Sequence, residues 1–157
     1  MTARLPCPGA PGPLEAYAQS FDPLFAKLGQ RRSFRTYLEG LLLPGERNKT
    51  LTGLAGAEPI IAAQVGPVQR LQFFLSEASW DAEALNAQRL ELLWADPATA
   101  PTAQGVLVID ETGDRKAGRK TAHVARQYLG TLGKVANGIV AVSSLWADER
   151  VYYPLHV

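Results

Sequence analysis

Residues Val106-Leu107-Val108-Ile109 lead straight into two carboxylates, Asp110 and Glu111. Six cations follow by residue 134: Arg115, Lys116, Arg119, Lys120, Arg126 and Lys134. An aspartate beside a bound phosphate backbone is a usual way to hold Mg²⁺, which takes one or two carboxylates, waters and substrate oxygens. Paired ions of this kind can activate a water and stabilise the leaving oxygen in phosphodiester cleavage. Asp110 is therefore the candidate catalytic and metal-binding residue, with Arg115, Lys116, Arg119, Lys120 and Lys134 placed to grip the backbone. A plainer reading competes, since an aspartate after a strand commonly opens a turn through its own side-chain hydrogen bonds.

Glu111 is not expected to share the ion, because successive strand side chains point to opposite faces. Asp148 and Glu149 are excluded by topology. If the first strand runs up to Asp110 and the next runs back from Gly138, they lie at the far end, roughly 20–25 Å away at about 3.3 Å per residue. His156, at the top of a third strand, could approach Asp110, although a surface or strand-filling histidine is the plainer account. A rival site overlaps the same stretch. Gly113 and Gly118 have the G-x-x-x-x-G spacing of a phosphate-cradling loop, but Arg119 displaces Lys120 and Thr121 by one position from that motif.

The elements that must position these residues come in two styles. In residues 31–43, Phe34, Tyr37, Leu38, Leu41 and Leu42 follow an amphipathic helical stripe, ended by Pro44-Gly45. Arg31, Arg32 and Arg35 read as lying largely off that stripe, as a second candidate DNA contact. Residues 14–28 read as helical with a break at Asp22-Pro23, and residues 50–57 as a short helix with Leu51 and Leu54 inward. Pro67 suits a first helical position. Asp81 is a candidate N-cap for a helix that turns Leu85, Leu92 and Leu93 inward. Together these suggest a helix-turn-helix-like bundle. Beyond a Pro/Ala/Thr-rich linker the period changes. Val106–Ile109 reads as a central strand covered on both faces, Ile139–Trp146 as a second strand, and Val151–Val157 as a third, with Pro154 marking an edge. Val124, Tyr128 and Leu132 keep helical spacing, weakened by Gly130 and Gly133.

The resulting division is a flexible leader over 1–13, a helical DNA-binding region over 14–96, a linker over 97–105 and a sheet domain from 106 to 157. The fold class is α+β. Net charge is only +1 across 157 residues, but it is segregated. Residues 27–49 carry a surplus of four cations, residues 77–111 a surplus of six acids, and residues 112–134 a surplus of five cations. Two basic blocks around an acidic one can bind a polyanion without a high isoelectric point. No apolar run suits a membrane span and no apolar leader suits secretion, so the expected compartment is the cytoplasm. Cys7 is the only cysteine, which excludes a disulfide framework or a zinc cluster built on cysteines.

The stretch VLVIDETGDRKAGRKTAHVARQYLGTLGKVANGIVAVS resembles the start of the catalytic domain of DDE-type transposases of bacterial insertion sequences, the DDE superfamily endonuclease group. The resemblance rests on the strand-Asp-x-Thr-Gly, Lys-x-Gly, Arg-Gln-Tyr and Gly-Lys-Val-Ala-Asn pieces. RRSFRTYLEGLLLPGERNKTLTGLAG and LQFFLSEASWD resemble that group's helical N-terminal region. It implies an RNase H-like sheet, Asp110 as first acid of an Asp-Asp-Glu triad, Mg²⁺ or Mn²⁺, and strand cleavage and transfer at terminal inverted repeats. Asp114, where an apolar residue is expected, and the strongly basic Arg119-Lys120 depart from the pattern. The second Asp and the Glu are expected from later elements, so the chain reads as the N-terminal half of a transposase. Such a fragment would bind no ion stably and would not cleave DNA by itself. Its expected partners are terminal-repeat DNA and an intact transposase or a second copy. The alternatives are a non-catalytic DNA-binding regulator at element ends and a nucleotide-binding module dependent on Lys120.

Overall fold

The computed structural model describes residues 12–43, 49–56 and 66–156. Most of the expected leader, Cys7, and the Pro44-Gly45 helix stop lie outside them. The chain forms two compact units, residues 1–88 and 89–157.

The first unit is helical. Helix α1 (Pro13–Ser20) starts on a proline, and the expected break at Asp22-Pro23 is a single 3₁₀ turn, Asp22–Leu24. Helix α2 spans Leu28–Leu42; at its start Gln30 Oε1 accepts from the Lys27 backbone N–H at 3.1 Å. The Gln30 amide also donates to the Ser79 carbonyl at 2.7 Å, tying α2 to the segment after α4. Helix α3 is the short Leu51–Leu54, capped by the Thr50 hydroxyl, which accepts from the Gly53 N–H at 3.1 Å. Gly40 lets it approach α2: a Cβ there would stand 2.3 Å from the Leu54 carbonyl oxygen. Helix α4 (Gly66–Ser76) carries Pro67 in its first turn. Helix α5 (Ala82–Ala95), which begins in this unit and ends in the second, has Asp81 as its cap, accepting from the Ala84 N–H at 3.0 Å. Leu85, Leu92 and Leu93 of α5 are half-buried.

The core of this unit is aromatic. Tyr17, Phe21, Phe34, Phe25, Phe74 and Trp80 form a chain of neighbouring rings with centroids 5.0–5.7 Å apart, in the tilted and offset arrangements that aromatic pairs favour. Val68 and Leu71 of α4 close it, and Phe25 and Leu71 are essentially inaccessible to water.

The second unit is an antiparallel sheet of four strands, β1 (Val106–Arg115), β2 (Ala125–Leu129), β3 (Lys134–Ala147) and β4 (Tyr152–His156). The long β3 is central. It pairs with β1 from Gly138 to Ala147, with β2 from Lys134 to Gly138, and with β4 from Ser144 to Ala147. Pro154 does lie on an edge strand, since β4 pairs only with β3.

Two expectations for this region are corrected. First, β1 does not end at Ile109 and is neither central nor covered. It runs on to Arg115, pairs only with β3, and leaves Val106, Leu107, Val108 and Ile109 at 57%, 58%, 41% and 69% exposure. Four consecutive apolar residues suit a strand covered on both faces, yet here all four remain exposed. Second, Val124, Tyr128 and Leu132 form no helix: Val124 precedes β2, Tyr128 lies in it, and Leu132 ends a following 3₁₀ turn, Gly130–Leu132, closed by Gly133 at φ +61°. Leu129 is fully buried there, over Gly113 and Gly138; a Cβ on Gly138 would stand 2.8 Å from its Cδ1.

Candidate catalytic acid and nucleic-acid interface

Asp110 lies in the middle of β1, opposite Ser143 of β3. It opens no turn, so the plainer reading of this residue falls away. Aspartate is disfavoured inside strands, and here it follows four apolar strand residues. Glu111 is the next residue, opposite Val142, and strand alternation sends it to the other face. Both carboxylates are exposed.

The register settles the other acids. Asp148 lies five residues beyond Ser143, about 17 Å from Asp110's row at about 3.3 Å per residue. That is closer than the expected 20–25 Å and still far too long for a shared ion. Its carboxylate is also engaged. Oδ1 accepts from the backbone N–H groups of Arg150 (2.8 Å) and Val151 (3.0 Å), and Oδ2 accepts from Thr102 Oγ1 (3.2 Å) and Arg150 Nη2 (3.0 Å). The two backbone donors lead in lowering its pKa from 3.8 to about 2. Asp148 organises the β3–β4 turn. Arg150 completes that turn by donating to the carbonyls of Pro97 and Ala100, so the expected linker is held against the sheet.

His156 lies opposite Ser144, which lies opposite Ile109. Its row across the sheet is therefore Ile109's and not Asp110's, and the alternation puts the two on opposite faces. Among the described residues no three His, Cys, Asp or Glu side chains converge as a metal would need. Asp110 can supply one ligand, and the described residues bring it no second.

The basic residues after β1 occupy an anchored loop. Arg115 ends the strand opposite Gly138, and Lys116 pairs with Asp114 at 2.5 Å. Asn137 of β3 donates its side-chain amide to the carbonyls of Lys116 (2.7 Å) and Gly118 (2.9 Å), while its own carbonyl accepts from the Lys116 N–H (3.0 Å). Arg119 and Lys120 are exposed beyond that clamp, and Lys134 is exposed at the start of β3. Sequence reasoning missed Asn137's role; the only signal was an asparagine inside a strand-forming run. The same geometry removes the nucleotide-loop reading. Gly113 is paired within β1, and no helix follows Lys120-Thr121, so the helix N-terminus such a loop needs is missing.

In the helical unit the expected outward cluster of Arg31, Arg32 and Arg35 is corrected. Arg31 and Arg35 are 6% and 4% exposed. They flank the buried Phe34 and half-buried Leu38 of the very stripe they were read as avoiding, whereas Leu41 and Leu42 of that stripe are 41% and 72% exposed. Arg35 donates to Glu15 from Nε (2.9 Å) and Nη2 (2.7 Å), and to Asp22 from Nη1 (2.8 Å). Two carboxylates thus stabilise this charge inside the fold. Only Arg32 of the three is exposed.

A sheet whose first strand carries Asp110 and runs on into an anchored basic loop, together with a helical N-terminal unit, accompanies a family match. The DDE superfamily endonuclease model matches residues 23–157, and the chain belongs to that family. It is 40% identical over 154 residues to a protein of Microchaete diplosiphon described as a probable transposase for insertion sequence element IS701. That alignment covers 96% of this chain and 38% of the relative, so the chain spans well under half of the relative's length. No solved structure matches the chain significantly. No helix among the described residues is long and apolar enough to cross a membrane.

Proposed function

We propose that this chain supplies the DNA-binding part and the first catalytic acid of an insertion-sequence transposase, with Asp110 as the β1 ligand of a divalent-metal site. The supporting observation is an aspartate held in mid-strand at the end of an apolar run, on a strand that leads, about 20 Å further on at about 3.3 Å per residue, into a basic loop pinned by Asn137. The antiparallel order β1–β3–β4 suits the first three strands of an RNase H-like sheet, with β2 and its 3₁₀ turn as an elaboration between them. The exposed Val106–Ile109 run and the open edge of β1 suit cover by further parts of a longer enzyme. When bound, Mg²⁺ or Mn²⁺ would supply a polarised water and charge stabilisation at the leaving oxygen. This chain's own part is to hold one carboxylate in place and to bind the DNA backbone through its basic residues.

The chain alone is then expected to bind terminal-repeat DNA without cutting it. Fused to the remaining portion of the Microchaete relative, it is expected to nick such DNA in Mg²⁺ or Mn²⁺. Asp110→Asn should abolish nicking with DNA binding retained, and Glu111→Gln should be much milder. Nicking that survives Asp110→Asn would overturn the reading. The absence of a converging ligand group among the described residues favours a second reading, a non-catalytic protein that occupies element ends. Inhibition of an intact transposase by added chain, with no cleavage from the fusion, would support it.

A further inference from the structure

The helical unit has a groove that the Asp110 site does not use. It runs between α2 and α4 and opens as two adjoining clefts of about 560 and 460 Å³, which share Gly29, Ser33 and Arg70. Gly29 and Ser33 stand one turn apart on α2, so one wall is low and the backbone is accessible. Arg32 lines the first cleft from α2 and Lys27 the second, with Arg70 between them on α4. Arg70 reaches back along its own helix: its Nη1 lies 3.1 Å from where a Cβ on Gly66 would stand. Arg35 also lines the first cleft, but Glu15 and Asp22 already neutralise it. The guanidinium groups of Arg32 and Arg70 have no ion-pair or hydrogen-bond partner among the described residues. Glu39 is the one carboxylate on the lining. Two unneutralised guanidiniums and a lysine, facing one groove from two helices, make a polyanion site. Forked, planar donors of this kind match phosphate oxygens.

We infer that this groove binds the phosphodiester backbone of duplex DNA through Arg32 and Arg70, with Lys27 extending the contact. This deepens the proposed function by moving the helical unit's DNA contact from the buried Arg31 and Arg35 to a pair of arginines on facing helices. Each lost phosphate contact should reduce the slope of log K against log salt by about 0.9. Arg32→Gln with Arg70→Gln should therefore flatten the slope by about 2 and weaken binding roughly ten- to a hundredfold near physiological salt. Glutamine keeps much of the aliphatic stem at both surface positions, and circular dichroism checks the fold. Arg32→Lys with Arg70→Lys should keep the slope, and Glu39→Gln should tighten binding.

The experiment is fluorescence anisotropy of the full chain with labelled terminal-repeat duplex across a salt series, with Arg119→Ala/Lys120→Ala as the comparison variant. Inorganic phosphate and polyglutamate serve as competitors. The expected result is a flattened slope in the double glutamine variant, with duplex DNA far outcompeting either competitor. A folded double variant with wild-type affinity and slope overturns the inference. If Arg119→Ala/Lys120→Ala alone is weakened in that case, the transposase reading stands without it. Polyglutamate competing as well as DNA also overturns it, in favour of an acidic protein partner. Failure of the wild-type chain to bind any duplex overturns both.

Discussion

The helical unit closes an aromatic core, with Phe25 and Leu71 sealed from solvent even though Leu42 and Phe73 stay exposed, whereas β1 shows Val106 through Ile109 to water. Hydrophobic run length does not separate the two regions; α2 offers fewer consecutive apolar residues than β1 does. They differ in whether a second layer exists. Helices α1, α2 and α4 supply one another's cover, while the sheet has only Leu129 and Tyr153 as buried apolar residues among those described. Stability should therefore reside mainly in the helical unit, and the sheet's apolar strand should contribute little to it.

The largest effect that can test this contrast is Phe25→Ala, expected to cost about 3–5 kcal/mol because the cavity sits between Phe34 and Phe74. Chemical denaturation followed through Trp80, stacked on Phe74, reads it directly. Next is Arg35→Ala, expected to cost about 3 kcal/mol, the low end for breaking a buried ion pair. The low end applies because the Glu15 and Asp22 side chains keep 17% and 23% of their exposure. Adding Glu15→Gln to Arg35→Ala should restore part of that loss, and no recovery would mean that packing, not charge, is what Arg35 provides.

A smaller effect concerns the β3–β4 turn. Because the folded Asp148 pKa lies near 2, below its usual 3.8, the stabilisation is complete above about pH 4 and is lost as pH falls toward 2. The Arg150 and Val151 amide resonances should shift together with a midpoint near 2, and Asp148→Asn should abolish that transition. A midpoint near 3.8 would mean that the turn's hydrogen bonds do not persist in solution. The smallest effect is Ile109→Ala, expected to change stability by no more than about 0.5 kcal/mol, as for an exposed site. A loss of 2 kcal/mol or more would show that β1 is covered after all and would erase the contrast between the units.

Local chemistry was legible wherever it acts within a few residues. The Asp22-Pro23 break, Pro67 in a first turn, the Asp81 cap and the edge position of Pro154 could all be read from the chain. What escaped depended on distant partners or on ambiguous spacing. The DETGDR end of β1 has poor strand-forming residues and is a strand only because β3 pairs with it. Val124, Tyr128 and Leu132 are four apart, a spacing that fits one helical turn and also two strand repeats, so periodicity could not decide. Arg31 and Arg35 were sorted by charge when their spacing already placed them beside Phe34 and Leu38. Of the candidate site, Asp110 and the loop cations were visible, but Arg70 and Asn137 acquire meaning only from the helix and the loop they face.

The open edge of β1 has a consequence for handling the protein. A strand with one unpaired edge that carries Val-Leu-Val-Ile is a template on which other chains can stack, and charges beside such a run act as gatekeepers against aggregation. Asp110 and Glu111 occupy that place. Neutralising Asp110 to test chemistry therefore also weakens a solubility device, so Asp110→Glu, which keeps the charge, belongs beside Asp110→Asn in any preparation. A variant lost to precipitation would otherwise be mistaken for one lost to catalysis.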